Sequence, residues 1–190
     1  MKRIILETPR LLLREMDFSD MDGLSSMLQD EKVMYAYEGA FNQEETIAWM
    51  QKQIGRYEDY GFGLWAVINK ETDEMIGQCG ITMQDYKGTA VPEIGYLFAY
   101  RHWHHGYATE AAVACREYGF CTLHFSGLYS IIRDTNLPSQ RVAVRNGMIL
   151  TDTMVKHYRG IDMPHLVYRT CPEKTQTVSC NDKTKKSEIF

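Results

Sequence analysis

The chain is short of cysteine pairs, has no long apolar run and carries no excess of positive charge, and each shortage removes a class of protein. Its five cysteines, at 79, 115, 121, 171 and 180, are odd in number and include no C-x-x-C, so neither a disulfide framework nor a zinc knuckle is indicated. A reduced, cytoplasmic protein is the simple expectation. No run of about eighteen apolar residues exists, so no membrane-spanning helix is expected. The opening stretch, MKRIILETPR, has only a three-residue apolar run before Glu7 and Pro9, too short for a signal peptide. With 21 Lys and Arg against 25 Asp and Glu, the formal net charge of -4 argues against a nucleic-acid binder that relies on a basic face. Such a charge favours a cationic amine as the visiting molecule. A G-K-[ST] loop and a G-x-G-x-x-G are both missing, as are internal repeats, which places other nucleotide-binding enzymes last among the candidates.

What is present fits one domain over residues 1–170, followed by a polar, aperiodic tail over 171–190 that has no core of its own. Leu11-Leu12-Leu13 reads as a first strand, and Asp17 or Ser19 as the cap of a helix carrying Leu24, Met27 and Leu28. A second helix spans about 43–57, with Ile47, Met50, Ile54 and Tyr57 on one stripe and Glu44 and Glu45 in its first turn. Between the helices, Met34, Tyr35, Tyr37 and Phe41 form a segment without clear period, either a cover over the sheet edge or a lip facing substrate. Leu64 to Ile68 is apolar throughout and predicts a strand buried on both faces. Residues 75–82 follow as a strand in which Gly77 and Gly80 predict a bulge or a close neighbour. Further strands are expected at 93–99, 128–132, 149–155 and 163–170, and a helix from Pro138 to Asn146-Gly147.

The chemistry concentrates in PEIGYLFAYRHWHHGYATEAAVACREYGFC, residues 92–121. It opens as a strand, with Ile94, Tyr96 and Phe98 alternating against Glu93, Gly95, Leu97 and Ala99, and closes as a helix with Ala108, Ala111, Ala112, Cys115 and Tyr118 on one side. A strand feeding a helix through a short loop leaves the helix's first amides unpaired, and with the helix dipole these make a phosphate site. Gly106 and Ala108 keep the turn low enough for close approach. An anion-bearing cofactor held mainly by main chain follows. The helix crossover also makes strand 128–132 parallel to 93–99, next to an antiparallel meander.

Trp103-His104-His105-Gly106-Tyr107-Ala108 resembles the Gln/Arg-x-x-Gly-x-Gly/Ala loop of the GNAT N-acetyltransferases, and GYATEA is similar to their ribosomal-protein N-terminal acetyltransferase branch. Trp103 replaces the usual Gln or Arg. His104 replaces a frequent Gly, which is tolerable if its φ is negative and its amide points inward. Asn136-x-x-Ser139 followed by Asn146-Gly147 matches the second motif of the family, in the right order and over residues 8 to 170.

The resemblance implies an α/β (α+β mixed sheet) fold: about seven strands, mostly antiparallel, with a splayed parallel central pair and helices on both faces. It implies acetyl-CoA as co-substrate, held by Phe98, Ala99, Tyr100, Trp103, His104, His105, Gly106, Tyr107, Ala108, Thr109, Asn136 and Ser139. The reaction implied is direct transfer of acetyl to a primary amine, of a protein N-terminus or a small molecule. The alternative is a non-catalytic acyl-CoA-binding or sensing module. Transfer needs a neutral amine, a polarised carbonyl and a proton for the thiolate. Glu93, half-buried beside the splay, is the candidate base, with an ion pair across the sheet as its other reading. Main-chain amides after Phe98 are candidate oxyanion donors. Many family members use a Tyr seven residues past the motif Asn as the acid, but here that residue is Ala143. Ser139 is then the nearest hydroxyl, with helix capping as its other reading. Tyr96 and Tyr129 read as packing aromatics. His102, His104 and His105 diverge along a loop without a fourth ligand, so no metal site is assigned. No nucleic acid or membrane partner is expected, and the oligomeric state, a homodimer included, is open.

Overall fold

The computed structural model describes residues 2–37, 39–158 and 160–172. The strands are β1 (Ile4–Glu7), β2 (Leu11–Arg14), β3 (Leu64–Asn69), β4 (Glu74–Tyr86), β5 (Thr89–Phe98), β6 (Leu128–Arg133), β7 (Ile149–Tyr158) and β8 (Ile161–Thr170). The helices are α1 (Met21–Leu28), α2 (Gln43–Tyr60), α3 (Tyr107–Cys121) and α4 (Leu137–Arg145). The strands form one sheet in the order β1-β2-β3-β4-β5-β6-β8-β7, antiparallel except for β5 and β6. Eight strands replace the seven expected. The extra one, β1, pairs with β2 around the turn at Thr8, where Pro9 and Arg10 reverse the chain after too few apolar residues to signal a strand. Of the tail expected over 171–190, all but Cys171 and Pro172 lie outside the described residues.

β3 shows how the sequence makes two cores. Trp65 and Val67 pack with Ala111, Ala112 and Cys115 of α3, while Leu64, Ala66 and Ile68 pack with Leu24 and Met27 of α1 and Met50 of α2. A strand apolar at every position is therefore covered on both faces. Asp17 caps a single 3-10 turn, Phe18–Asp20, before α1 begins. α2 starts on an Asn42/Glu45 capping box and ends at Gly61, in the left-handed region. At Gly77 the β3–β4 register shifts, and a Cβ on Gly80 would collide with Gly63 O, so the bulge and the close neighbour both exist. Cys79 and Cys115 are free and buried, whereas Cys121 is disulfide-bonded, so the expected set of free thiols does not hold. Among the described residues no helix is long and apolar enough to cross a membrane.

One buried charge pair ties β2 to α1. Arg14 Nη1 and Nη2 donate to the two oxygens of Asp20 at 2.9 and 2.8 Å, and Lys2 Nζ adds a third bond at 2.8 Å. Burial pushes the Asp20 carboxyl up, but the bonds from Arg14 and Lys2 outweigh it and leave it below the ordinary value. A lowered carboxyl contributes stability above the unfolded value and loses it as the pH falls through the folded one. Asp20→Asn should therefore cost about 3 kcal/mol at pH 7, because it strands a buried guanidinium. Denaturant melts should show the gap to wild type closing below about pH 4.

Candidate functional site

β5 and β6 pair at a single position, Glu93 with Tyr129. Beyond it β5 stays with β4 as far as Phe98, and β6 stays with β8 as far as Arg133, so the two strands part. Side chains close the apex of the gap. Ile131 N–H donates to Glu93 Oε1 at 2.8 Å, and Ser130 Oγ donates to Ile94 O at 2.9 Å. Past that apex a cleft of about 680 Å³ opens between β5, the 102–106 loop, the first turn of α3, and α4.

One end of the cleft is a helix terminus. The first ladder bond of α3 runs from Glu110 N–H to Gly106 O, so the amides of Tyr107, Ala108 and Thr109 precede it and lie where an anion is favoured. Gly106 adopts φ 82° and His104 φ 65°. The condition of a negative φ, under which a bulky residue at 104 would be tolerable, is not met. The loop keeps the left-handed turn that a glycine would take there, at a cost of about 1–2 kcal/mol. His105 stacks on Tyr107 with centroids 5.7 Å apart, and its Nδ1 lies 2.7 Å from Trp103 O.

Sequence reasoning missed Arg10, which comes from the far edge of the sheet. Its Nε donates to Glu110 Oε2 at 2.7 Å, its Nη1 donates to His105 O at 3.0 Å, and its guanidinium sits 4.5 Å from the Tyr107 ring centre. Burial raises the Glu110 carboxyl, but bonds from Thr8 and Arg10 bring it below its usual value, so it stays ionised and held to one side of the helix terminus. Arg141 and Arg145, also missed, line the opposite wall. Nothing short of the fold brings Arg10, about a hundred positions away, to this loop.

The β5 wall is set by strand alternation. Ala99 N–H donates to Ile76 O at 3.0 Å, which spends it on β4 and removes it as an oxyanion donor. Tyr96 and Phe98 therefore turn their main-chain groups toward the cleft. Trp103 Nε1 already donates to Phe98 O at 2.8 Å, leaving the Phe98 amide. Of the twelve cofactor residues expected, Ala99, Tyr100 and His105 do not line the cleft, and the other nine do.

At the α4 end Asn136, not Ser139, is the cap. Its Oδ1 accepts from Ser139 N–H at 3.2 Å and from the Tyr35 hydroxyl at 2.9 Å. Ser139 lines the cleft in the first turn, and its carbonyl accepts from Tyr96 OH at 2.8 Å. Tyr96 is thus a wall residue rather than packing alone, and burial pushes its phenol well up, keeping it protonated. Tyr129 instead tilts against Tyr86. Tyr35 and Tyr37 line the cleft while Met34 and Phe41 pack into the core over the sheet, so the segment between α1 and α2 is both lip and cover. Ala143, where the family's Tyr is missing, is buried. Glu93 sits at the apex, outside the cleft lining. Burial raises its carboxyl, while Lys156, the Ile131 amide and Arg56 pull the other way. Among the described residues it forms no ion pair.

The turn at His104 makes a direct test of main-chain anion binding. His104→Gly should leave acetyl-CoA affinity within about twofold and stability within about 1 kcal/mol, since it keeps the amide and relieves the backbone. His104→Pro removes the amide and cannot reach positive φ, so calorimetry should show at least a tenfold weaker affinity.

The chain has relatives in both sequence and fold. The family model described as "Acetyltransferase (GNAT) domain" matches residues 10–149. The chain is 40% identical over 157 residues to the uncharacterized protein YkkB of Bacillus subtilis, covering 82% of this chain and 91% of that one. A crystal structure of a GNAT-family acetyltransferase from Bacillus anthracis superposes with TM-score 0.75 at 27% identity, covering 89% and 98% of the two chains. RimL, a ribosomal L7/L12 alpha-N-protein acetyltransferase solved with coenzyme A, shares the fold with TM-score 0.73 at 20% identity, again over 89% and 98%. From Arg10 through the splay to Ile149, the chain belongs to the GNAT acetyltransferases.

Proposed function

We propose that the protein moves an acetyl group from acetyl-CoA to a primary amine by direct transfer. The observation that carries this reading is the opening of two parallel strands onto the same cleft as an unpaired helix N-terminus. The donor set fits acetyl-CoA: amides of α3 and the cations Arg141 and Arg145 for its phosphates, and the main chain of Tyr96 for the amides of its pantetheine arm. RimL, which shares the fold, has been solved in complex with coenzyme A, which supports this choice of cofactor. When bound, acetyl-CoA supplies the activated thioester.

The residues divide the remaining work. Glu93, raised in basicity by burial, takes the proton of the incoming ammonium, directly or through a water. The Phe98 amide faces the thioester end of the cleft and polarises the carbonyl as charge develops on oxygen. Ser139 and the protonated Tyr96 beside it are hydroxyls on the β5–α4 wall that can return a proton to sulfur. Ala143 cannot.

Acetyl-CoA should raise the melting temperature, and a panel of amines including short peptides with free N-termini should release free thiol. Tight coenzyme A binding with thiol release at the hydrolysis background across the panel would select the sensing-module reading instead. Glu93→Gln should lower kcat/KM by about 10²- to 10⁴-fold and flatten its rise with pH while leaving CoA affinity unchanged. An unchanged pH profile removes Glu93 from the role. The sign carries over to stability. A carboxyl raised by the fold stabilises below its unfolded value of about 4.3 and ceases to do so as the pH climbs through the folded one. Glu93→Gln should therefore melt higher than wild type at pH 8 and lose that advantage at pH 4.

A further inference from the structure

The α2 side of the splay carries the opposite sign of charge from the chain as a whole. On this face β6 sets Arg133 directly beside His165 of β8, and β7 sets Lys156 beside Met163, two residues from His165. α2 contributes the partly buried Arg56, whose Nη1 donates to Gln53 Oε1 at 3.0 Å, with the exposed Lys52 one turn earlier. Arg133 Nη1 also reaches Tyr37 O on the lip, at 3.5 Å. Glu93 lies among them, and both Lys156 and Arg56 favour its ionised form through space.

Among the described residues none of Lys52, Arg56, Arg133 and Lys156 is in an ion pair, although Lys2, Arg10, Arg14, Lys70 and Arg101 all are. The carboxylates near this cation cluster are Glu93, engaged by Ile131 N–H, and the exposed Asp134. His165 adds no charge, since burial, Lys156 and Arg133 keep its imidazole neutral. Four unpaired cations beside two carboxylates make a locally positive wall in a chain of net charge -4.

Arg56, Arg133 and Lys156 are partly buried, and a cation that lacks a carboxylate there favours an anionic ligand that completes it. We propose that the acceptor is a primary amine bearing a carboxylate near that amine, with the carboxylate held by Arg133 and Lys156. The inference rests on the transfer reading and adds the substrate class. It also suits the chemistry. The same cations lower the pKa of the acceptor's ammonium, and Lys156 partly offsets the upward push of burial on Glu93. A polyamine would meet repulsion on this wall. The required chemistry belongs equally to a free amino acid and to a peptide whose first residues are acidic.

Thiol release should be measured on matched pairs: free amino acids against their amides, and Ser-Asp or Ala-Glu peptides against the Asn and Gln versions, with spermidine as the cationic control. The anionic member of a pair should show at least a tenfold higher kcat/KM, and the arm with the larger ratio identifies the source. Lys156→Glu should invert that ratio while acetyl-CoA still raises the melting temperature. If Lys156→Glu does not fold, Arg133→Gln should reduce the ratio by at least threefold. Equal or better turnover of neutral amines or spermidine overturns the proposal and leaves the transfer reading standing, as does a ratio unmoved in the variants. No thiol release from any amine overturns both.

Discussion

The site depends on where two parallel strands stop pairing. β5 and β6 meet at Glu93 and Tyr129, and the next polar groups of each strand are taken by side chains: the Ile131 amide by the Glu93 carboxylate, the Ile94 carbonyl by the Ser130 hydroxyl. Had these groups bonded across the gap, the ladder would have continued and no cleft would exist. A buried main-chain group must find a partner, and here a glutamate and a serine hold the strands apart at no loss of hydrogen bonds. The residue that opens the cleft is also the one proposed to take the proton, its carboxyl raised by burial, so architecture and the proposed chemistry share a side chain.

Much of this was legible because local rules and the fold agree. The two-faced burial of β3, the helix after Gly106 and the parallel crossover to β6 each follow from periodicity and connection length. What escaped depended on distance or on a balance. Arg10 reaches α3 only after β2 has taken its place at the sheet edge. His104 looked compatible with negative φ because a bulky side chain prefers it, yet the neighbouring turn imposed 65°. Ala99 looked like a free donor until strand alternation pointed its amide at Ile76. Ser139 resembled a cap, but Asn136 three residues earlier has the reach to accept its amide.

Net charge proved a poor guide to the local field. The chain as a whole is acidic, but several of its acidic residues neutralise partners elsewhere, as Asp20 does Arg14 and Glu110 does Arg10. Among the described residues, the cations without such partners include two on each side of the splay: Arg141 and Arg145 toward α3, Arg133 and Lys156 toward α2. Composition sums over the surface, whereas binding samples a few ångströms of it.

The indole of Trp103 has one further consequence. The chain has three tryptophans, and only Trp103 lines the cleft; Trp49 bonds Gln78 and Trp65 is fully buried against Tyr118. Because its ring nitrogen grips the Phe98 carbonyl on the wall that pantetheine would share, occupancy alters the surroundings of a single fluorophore. The molecule carries its own optical gauge of ligation, readable without a label.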